Sequence, residues 1–325
     1  MTRRALLVGI NEYDDPGVQN LSGCVRDVEG MLEVLSRHWD GRPNYQCRQF
    51  VSPGHTGVIS RGLLRDQLSE LFNFDGDVLF YFSGHGSLTQ VGGFLVTQDA
   101  AQGDPGIHMD ELVALANKSN ARNILIIVDC CFSGNIGILA GLDVQDRPMA
   151  QIREGVTMLA ASQKHEPSFE NTGGQGIFTE LVIGALKGGA ANVRGKVSAA
   201  AVYGYVEAAL GAWSQSPIYK SHAKNLDAIR ECDPVIADSL IRELPDHFPS
   251  EDFALMLDPT FEETNLSVAV PENVEIFKKM KQYQIAGLVK NRSGRDLYWT
   301  AEQSGCVQLT PLGQFYRRLA TESLI

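Results

Sequence analysis

Two unbroken apolar runs stand out in the hydrophobic pattern of the chain, at residues 78–82 and 124–128. Runs of this kind are typical of strands that are buried on both faces of a parallel sheet. Each run stops abruptly in small and reactive residues, at 83–86 (Ser-Gly-His-Gly) and at 129–134 (Asp-Cys-Cys-Phe-Ser-Gly). Ligands and chemistry sit at the carboxyl ends of strands in open α/β sheets. The pattern therefore predicts a functional site at these two strand ends.

Shorter apolar runs and helical periodicities surround the two buried strands. We predict further strands at 4–10, 45–51 and 156–162, a small hairpin at 88–97, and helices at 22–39, 56–71, 109–118, 176–187 and 197–213. Strands that alternate with helices through right-handed crossovers give a mostly parallel sheet covered on both sides. The predicted fold class is therefore α/β.

The composition is that of an ordinary globular protein. Apolar residues make up 44% of the 325 residues, and charged residues make up 21%. The net charge of −11 argues against a general binder of nucleic acid or of membranes. No apolar stretch reaches the ~18 residues that a membrane-spanning helix needs, and the amino terminus carries no cleavable apolar signal. We therefore expect a cytoplasmic protein.

The six cysteines, at positions 24, 47, 130, 131, 232 and 306, form neither a disulfide framework nor a zinc-binding spacing. Buried free thiols in a reducing compartment are the simplest interpretation for most of them. Cys131 has a different context, because neighbouring parallel strands would bring it close to His85. A thiol beside an imidazole is the arrangement that a thiolate nucleophile with a proton-accepting partner requires.

The two strand ends resemble the active site of caspase-like cysteine peptidases. In that family a His in Ser-Gly-His-Gly is followed about 50 residues later by a Cys at the end of an apolar strand. Residues 129–134 are most similar to the metacaspase pattern Asp-Ser-Cys-His-Ser-Gly, in the prokaryotic caspase-homologue branch. The resemblance implies an α/β/α sandwich, with Cys131 as nucleophile and His85 as acid and base. It also implies that the backbone N–H groups of Gly86 and Cys131 stabilise the oxyanion. Cys130 stands where metacaspases carry Ser and is the competing nucleophile.

A second stretch of the chain resembles the specificity pocket of metacaspases. Residues 21–27 (Leu-Ser-Gly-Cys-Val-Arg-Asp) are similar to the metacaspase stretch Leu-x-Gly-Cys-x-Asn-Asp, whose Cys and Asp line that pocket. The resemblance implies that the substrate is bound by Asp27, Asp129, Ser83 and Cys24. Two carboxylates bind a cation and reject an anion, so we expect cleavage after Arg, or after Lys. The alternative is that Asp27 only complements the dipole of its helix.

Two regulatory features also follow from the resemblance. Many metacaspases need calcium, and the candidate ligands here are Asp99, Asp104 and Asp110, although their spacing is not that of an EF-hand loop. Ordinary surface carboxylates are the alternative. The irregular stretch 135–155 lies where caspase-like domains are often processed, and Arg153 is the candidate cleavage site. The alternative is that this loop is never cut.

The chain is predicted to divide into a caspase-like domain at 1–232, a connector at 233–271 and a small domain at 272–325. The connector is rich in Pro and acidic residues. The small domain is predicted to contain a helix, two strand-like runs around 297–299 and 306–309, and a last helix, an order that resembles a winged-helix fragment. Its basic residues are diluted by acidic ones, which favours contact with an activating protein partner over nucleic-acid binding.

These features predict a cysteine endopeptidase that cuts protein substrates after Arg or Lys. By analogy with related prokaryotic proteins, it would act in a defence or cell-death pathway that a partner triggers. The alternative is a catalytically silent caspase-like scaffold that acts through its carboxyl-terminal domain. The presence of both His85 and Cys131 favours the peptidase.

Overall fold

The computed structural model describes residues 3–54, 57–89, 92–101, 103–130, 151–161, 176–211, 217–223, 227–265, 267–291 and 296–325. The chain divides into two compact units. The first comprises Met1–Ala191 and Lys196–Cys232, and the second comprises Asn192–Gly195 and Asp233–Ile325. Within the described ranges, no helix has both the length and the apolar character that crossing a membrane requires.

A six-stranded sheet forms the centre of the first unit. Numbered in chain order with the other strands below, its members are β1 (Arg3–Ile10), β2 (Gln46–Ser52), β3 (Asp77–Ser83), β7 (Asn123–Asp129), β8 (Val156–Ala160) and β10 (Ile218–His222). They lie in the order β10-β8-β7-β3-β1-β2. All neighbours are parallel except β10, which runs antiparallel to β8. The predicted mostly parallel sheet is confirmed.

Helices cover both faces of this sheet. They are α1 (Cys24–Ser36), α2 (Arg61–Phe72), α3 (Met109–Lys118), α4 (Ile177–Gly184), which continues as a π-helical turn at Ala185–Gly189, and α5 (Ala199–Leu210). α1, α4 and α5 pack on the face that carries Leu7 and Tyr81. α2 and α3 pack on the face that carries Phe80 and Phe82. Consecutive side chains of β3 thus enter opposite cores, as the alternation of a strand requires, and the unit is the predicted α/β/α sandwich.

The first two helices begin later than the hydrophobic pattern predicts, because capping groups set their starts. α2 begins at Arg61, since the Ser60 side chain accepts the N–H of Leu63 as an N-cap. α1 begins at Cys24, whose N–H donates to Oδ1 of Asn11 at 2.9 Å. Asn11 lies in the loop that follows β1, so this hydrogen bond also ties that loop to the helix.

A small antiparallel sheet follows β3. Its strands, in the order β4-β5-β6, are β4 (Gly86–Thr89), β5 (Gly92–Ala101) and β6 (Asp104–His108). The predicted hairpin at 88–97 lies within this sheet. The hydrophobic pattern does not predict β6, because this strand contains Pro105 and Gly106, two residue types that are uncommon in strands. A ribbon of β9 (Lys196–Val197) and β11 (Arg230–Glu231) also belongs to the first unit.

The second unit has a hydrophobic core of its own and a three-stranded antiparallel sheet. The strands, in the order β12-β14-β13, are β12 (Ala254–Met256), β13 (Val289–Asn291) and β14 (Cys306–Leu309). The helices are α6 (Asp238–Arg242), α7 (Leu244–His247), α8 (Pro271–Ile285), α9 (Leu297–Glu302) and α10 (Pro311–Thr321).

The stretch 233–271, for which the sequence predicts a connector, is built into this second unit. Leu244, Phe248 and Phe261 are buried in its core, and β12 pairs with β14. The stretch consists of very short elements separated by prolines, so no long periodic run reveals that it is folded. The globular part of the second unit therefore begins well before residue 272.

One predicted strand of the second unit is a helix. The apolar and aromatic run at 297–299 has the composition of a strand, yet it opens α9. Asp296 caps this helix by accepting the N–H of Trp299, and Leu297 and Ala301 face the core at helical spacing. The cap thus outweighs the strand propensity of the aromatic residues.

Candidate active site

The carboxyl ends of β3 and β7 lie side by side in the first unit. Ser83 is paired with Asp129 in the parallel register, and the N–H of Gly84 donates to the Asp129 carbonyl at 3.3 Å. Cys130 follows at once and is buried. Cys131, the predicted nucleophile, lies outside the described residues. The strand that leads to it nevertheless ends at the same edge of the sheet as the strand that leads to His85.

The imidazole of His85 is held from two sides. Its Nε2 atom lies 2.6 Å from the carbonyl oxygen of Gln19. A carbonyl oxygen can only accept, so Nε2 carries the hydrogen and Nδ1 is left as the nitrogen that can take up a proton. The backbone N–H of His85 donates to the Tyr13 hydroxyl at 2.8 Å, and the two rings are 5.0 Å apart. The ring is thus oriented with Nδ1 available as a base.

The loop between β1 and α1 supplies both of these contacts and is itself held in place. Oδ1 of Asn20 accepts the N–H of Tyr13 at 3.1 Å, and the N–H of Leu21 donates to the Asn11 carbonyl at 2.8 Å. Burial raises the pKa of Tyr13 far above its ordinary value, so its hydroxyl stays protonated. It donates to the Ile10 carbonyl at 3.2 Å. The loop is therefore a positioning element for His85.

Two buried carboxylates converge at the same strand ends. Asp27 of α1 is 2% exposed and Asp129 of β7 is 7% exposed. The Ser83 hydroxyl donates to Oδ2 of Asp27 at 2.8 Å, and the Gly176 N–H donates to Oδ1 of Asp27 at 3.3 Å. Thr179 donates its hydroxyl to Oδ2 of Asp129 at 2.6 Å. The structure thus places Asp27, Asp129 and Ser83 together, as the predicted pocket requires.

Gly176 lies next to both carboxylates. A Cβ atom on Gly176 would lie 2.5 Å from Oδ2 of Asp129 and 3.4 Å from Oδ2 of Asp27. Burial, followed by the negative charges of Asp27 and Asp129, raises the pKa of the neighbouring Tyr81 well above its ordinary value. Both carboxylates therefore lie close to Gly176 and to the Tyr81 hydroxyl.

Comparison with known proteins shows the family and the fold of this chain. The family model of the caspase domain matches residues 2–227. The chain belongs to the caspase domain family. Its structure is similar to the crystal structure of caspase-1 from Spodoptera frugiperda, with a TM-score of 0.51 and 13% sequence identity over 71% of this chain and 90% of that chain. No curated protein sequence matches the chain.

The predicted resemblance to caspase-like peptidases is confirmed by the family match, and the predicted fold is confirmed by the match to caspase-1. Proteins with a caspase domain form a family of cysteine peptidases that act on protein substrates. The loop and the strand ends described above all lie within the matched caspase domain.

Gly86, the predicted oxyanion donor of the caspase domain, is the first residue of β4. The Val96 N–H donates to the His85 carbonyl at 3.0 Å, and Gly86 faces Leu95 in the next pair of the ladder. Hydrogen-bonded and non-hydrogen-bonded pairs alternate in an antiparallel ladder. The N–H of Gly86 therefore points away from β5, where it can donate to another group.

The described cysteines of the caspase domain are free thiols. Cys24, predicted to line the pocket, is buried at the start of α1, one helical turn before Asp27. Burial raises the pKa of Cys47 to about 11 and raises that of Cys232 as well. Cys47 and Cys232 therefore lose their protons less readily than an ordinary thiol.

The predicted calcium ligands do not form a site. Asp99 accepts the N–H of Arg61 at 2.9 Å, Asp104 forms a 2.8 Å ion pair with the guanidinium of Arg61, and Asp110 lies 3.7 Å from His108. These carboxylates therefore hold the fold together locally. Across the described part of the chain, no group of three or more His, Cys, Asp and Glu side chains is arranged to hold a metal ion.

Arg153, the candidate processing site, is tied into the caspase domain by its side chain. The guanidinium donates to the carbonyls of Ala116, Ala121 and Glu154 at 3.1, 2.5 and 2.6 Å. Ala116 belongs to the last turn of α3, so Arg153 caps that helix. To be cut, the chain at Arg153 would first have to give up these contacts, which argues against its use as a processing site.

We expect Arg153→Ala to lower the free energy of unfolding by about 2 kcal/mol, because the backbone carbonyls of Ala116, Ala121 and Glu154 lose a charged hydrogen-bond donor. Urea unfolding measures this change. Arg48→Ala is the matched control, since Arg48 is exposed, pairs with the exposed Glu70 and lies over the Phe50 ring at 5.4 Å. This change should cost less than about 1 kcal/mol. An Arg153→Ala protein that is as stable as wild type but lacks a cleavage product would instead identify Arg153 as a processing site.

Proposed function

We propose that this caspase-domain protein is a cysteine endopeptidase that cleaves protein substrates after arginine and, more slowly, after lysine. Cys131 is the nucleophile and His85 is its acid–base partner. The observation that supports the proposal best is the convergence of the buried Asp27 and Asp129 carboxylates beside the strand end that carries His85.

The proposed reaction uses the nitrogen of His85 that the Gln19 carbonyl leaves available. Nδ1 accepts the thiol proton of Cys131, and the thiolate attacks the scissile carbonyl carbon. The N–H groups of Gly86 and Cys131 donate to the resulting oxyanion. As the carbon–nitrogen bond breaks, the imidazolium gives its proton to the leaving amine. Water then hydrolyses the thioester, which releases the carboxylic acid and restores the thiol.

The preference for a basic residue follows from charge and geometry. Ser83 and Gly176 donate hydrogen bonds to Asp27, which orient its carboxylate. A substrate cation placed between the two carboxylates lowers their mutual repulsion, whereas an anion adds to it. Arginine should be preferred over lysine, because its planar guanidinium can donate to both carboxylates at once.

A peptide panel tests this function. The substrates differ only in the residue before the scissile bond, which is Arg, Lys, citrulline or Asp, and kcat/KM is measured for each. Citrulline has the shape of arginine without its charge, so we expect it to be cut at least ~10²-fold more slowly. Faster cleavage of the Asp peptide would overturn the proposed specificity.

Two variants assign the nucleophile. Cys131→Ala should cleave none of the peptides, whereas Cys130→Ala should keep the activity of wild type, because Cys130 is a buried thiol of the strand end. The opposite result would make Cys130 the nucleophile. An intact, folded protein that cleaves no peptide would favour the silent scaffold.

We also propose that the protein acts in the cytoplasm of a prokaryote, in a defence or cell-death pathway, and that a protein partner triggers it through the second unit. The exposed aromatic pair on α9 supports the partner, since Tyr298 and Trp299 expose 37% and 51% of their surfaces. A Cys131→Ala protein retains substrates without cutting them, so pull-down with this variant would identify the pathway.

A further inference from the structure

An open cleft of about 360 Å³ lies directly beside His85 in the first unit. One wall comes from the loop after β1, another from the residues that follow β3, and the floor from β5 and the start of β6. The lining residues used below are Asp15, His85, Val96, Ala100, Ala101 and Pro105. We call this space the His85 cleft.

The His85 cleft and the two carboxylates lie on opposite faces of the central sheet. Asp27 is on α1, next to Val28, which packs with Tyr81 on one face. Val96 and Ala100 belong to the other core, together with the Phe82 side chain. His85 comes two residues after the end of β3, at the edge of the sheet where the two faces meet. The imidazole thus has the acidic pair on one side and the His85 cleft on the other.

An extended substrate that crosses this edge would reach both places. Successive side chains of an extended chain point in opposite directions. If the side chain before the scissile bond enters between Asp27 and Asp129, the next side chain points toward the opposite face. The leaving amine must also lie within reach of His85, which gives it a proton. Both requirements direct the leaving segment toward the His85 cleft.

We propose that the His85 cleft is the subsite for the side chain that follows the scissile bond, and that it accepts an aliphatic residue and rejects an acidic one. This proposal rests on the peptidase function proposed above. Val96, Ala100 and Pro105 provide an apolar surface for an aliphatic side chain. Asp15 supplies a negative charge at the cleft, so a carboxylate entering it would be repelled.

The subsite has a consequence for the chain itself. The bond after Arg153 is followed by Glu154, which is an acidic residue. The His85 cleft disfavours this bond as a substrate, independently of the hydrogen bonds that hold the Arg153 side chain in the fold.

Internally quenched peptides test the subsite. They all carry Arg before the scissile bond and differ only in the next residue, which is Leu, Asn or Asp, and kcat/KM is measured for each. Leu should be cut about 10-fold faster than Asn, through apolar contact. Asn should be cut about 10-fold faster than Asp, its near-isostere, through charge.

Two variants probe the two parts of the subsite separately. Asp15→Asn should bring the rates of the Asn and Asp peptides to within about 3-fold of each other, without changing the preference for Leu. Ala101→Phe places a large side chain at an exposed position of the cleft and should remove the advantage of Leu. Gln49→Phe is the matched control, because Gln49 is exposed on β2 and does not line the cleft. Thermal melts check that each variant is folded.

The outcomes separate this proposal from the proposed function. Arginyl peptides that are all cut at equal rates, or a preference that neither variant changes, would overturn the subsite while leaving the peptidase in place. If no arginyl peptide is cut by folded protein, the peptidase function fails and the subsite fails with it.

Discussion

His85→Ala is expected to fold like wild type and to cleave arginyl peptides at least ~10³-fold more slowly. The imidazole is the group that would take the proton from Cys131 and return it to the leaving amine. Its removal costs the fold little, because His85 is half-buried and its side chain makes a single described hydrogen bond, to Gln19. That bond is worth about 1 kcal/mol of stability. Steady-state kinetics and a thermal melt measure the two effects.

His222→Ala is the matched control for this prediction. His222 is an exposed residue of β10, and its Nδ1 atom lies 3.3 Å from the Ile152 carbonyl, so it resembles His85 in bonding to the backbone. Its replacement should leave kcat/KM unchanged. If His85→Ala cleaved as fast as His222→Ala, another group would have to act as the base, and the proposed mechanism would be wrong.

The sequence predicts the catalytic strands well, because buried parallel strands and reactive residues leave strong local signals. The runs at 78–82 and 124–128 contain no charged or amide side chain, which is typical of a strand buried on both faces of a parallel sheet. His85 lies three residues after the first run, and Asp129 directly follows the second. The edge of the sheet at which they lie therefore follows from the pattern and from the general topology of α/β sheets.

The elements that position His85 are not predictable in this way. Gln19 acts through its backbone carbonyl, and a backbone group leaves no preference for a residue type. Tyr13 contacts His85 across a distance of 72 residues along the chain. Tyr13 lies in an irregular loop, directly before Asp14 and Asp15, and this loop has no periodicity to interpret. Only the folded loop shows that these two residues act on the same imidazole.

The second unit shows a different limit of the sequence pattern. Short helices and three-residue strands lack the length over which periodicity can be recognised. Prolines at 245, 249 and 259 are typical of connectors, yet here two of them lie at the first positions of short helices. Burial of residues such as Phe248 is a tertiary property that arises only when these short elements pack together.

Gly176→Ala is expected to lower kcat/KM for arginyl peptides by about 10²-fold, mainly through KM. The new methyl carbon would lie 2.5 Å from Oδ2 of Asp129, inside the space that the substrate guanidinium is proposed to fill. Backbone strain does not contribute, because Gly176 has φ −63° and ψ 127°, which any residue adopts. Kinetics with Arg and citrulline peptides measure the loss, which should be confined to the Arg peptide.

Gly204→Ala is the matched control, since Gly204 is exposed on α5 and a Cβ atom there meets nothing within 4 Å. It should leave activity unchanged and raise the free energy of unfolding by about 0.5–1 kcal/mol, because alanine is the better helix former. The rate at which iodoacetamide alkylates Cys131 shows whether the nucleophile is intact in both variants. A Gly176→Ala protein that is alkylated normally and still cleaves after arginine at the wild-type rate would mean that the substrate cation does not enter between Asp27 and Asp129.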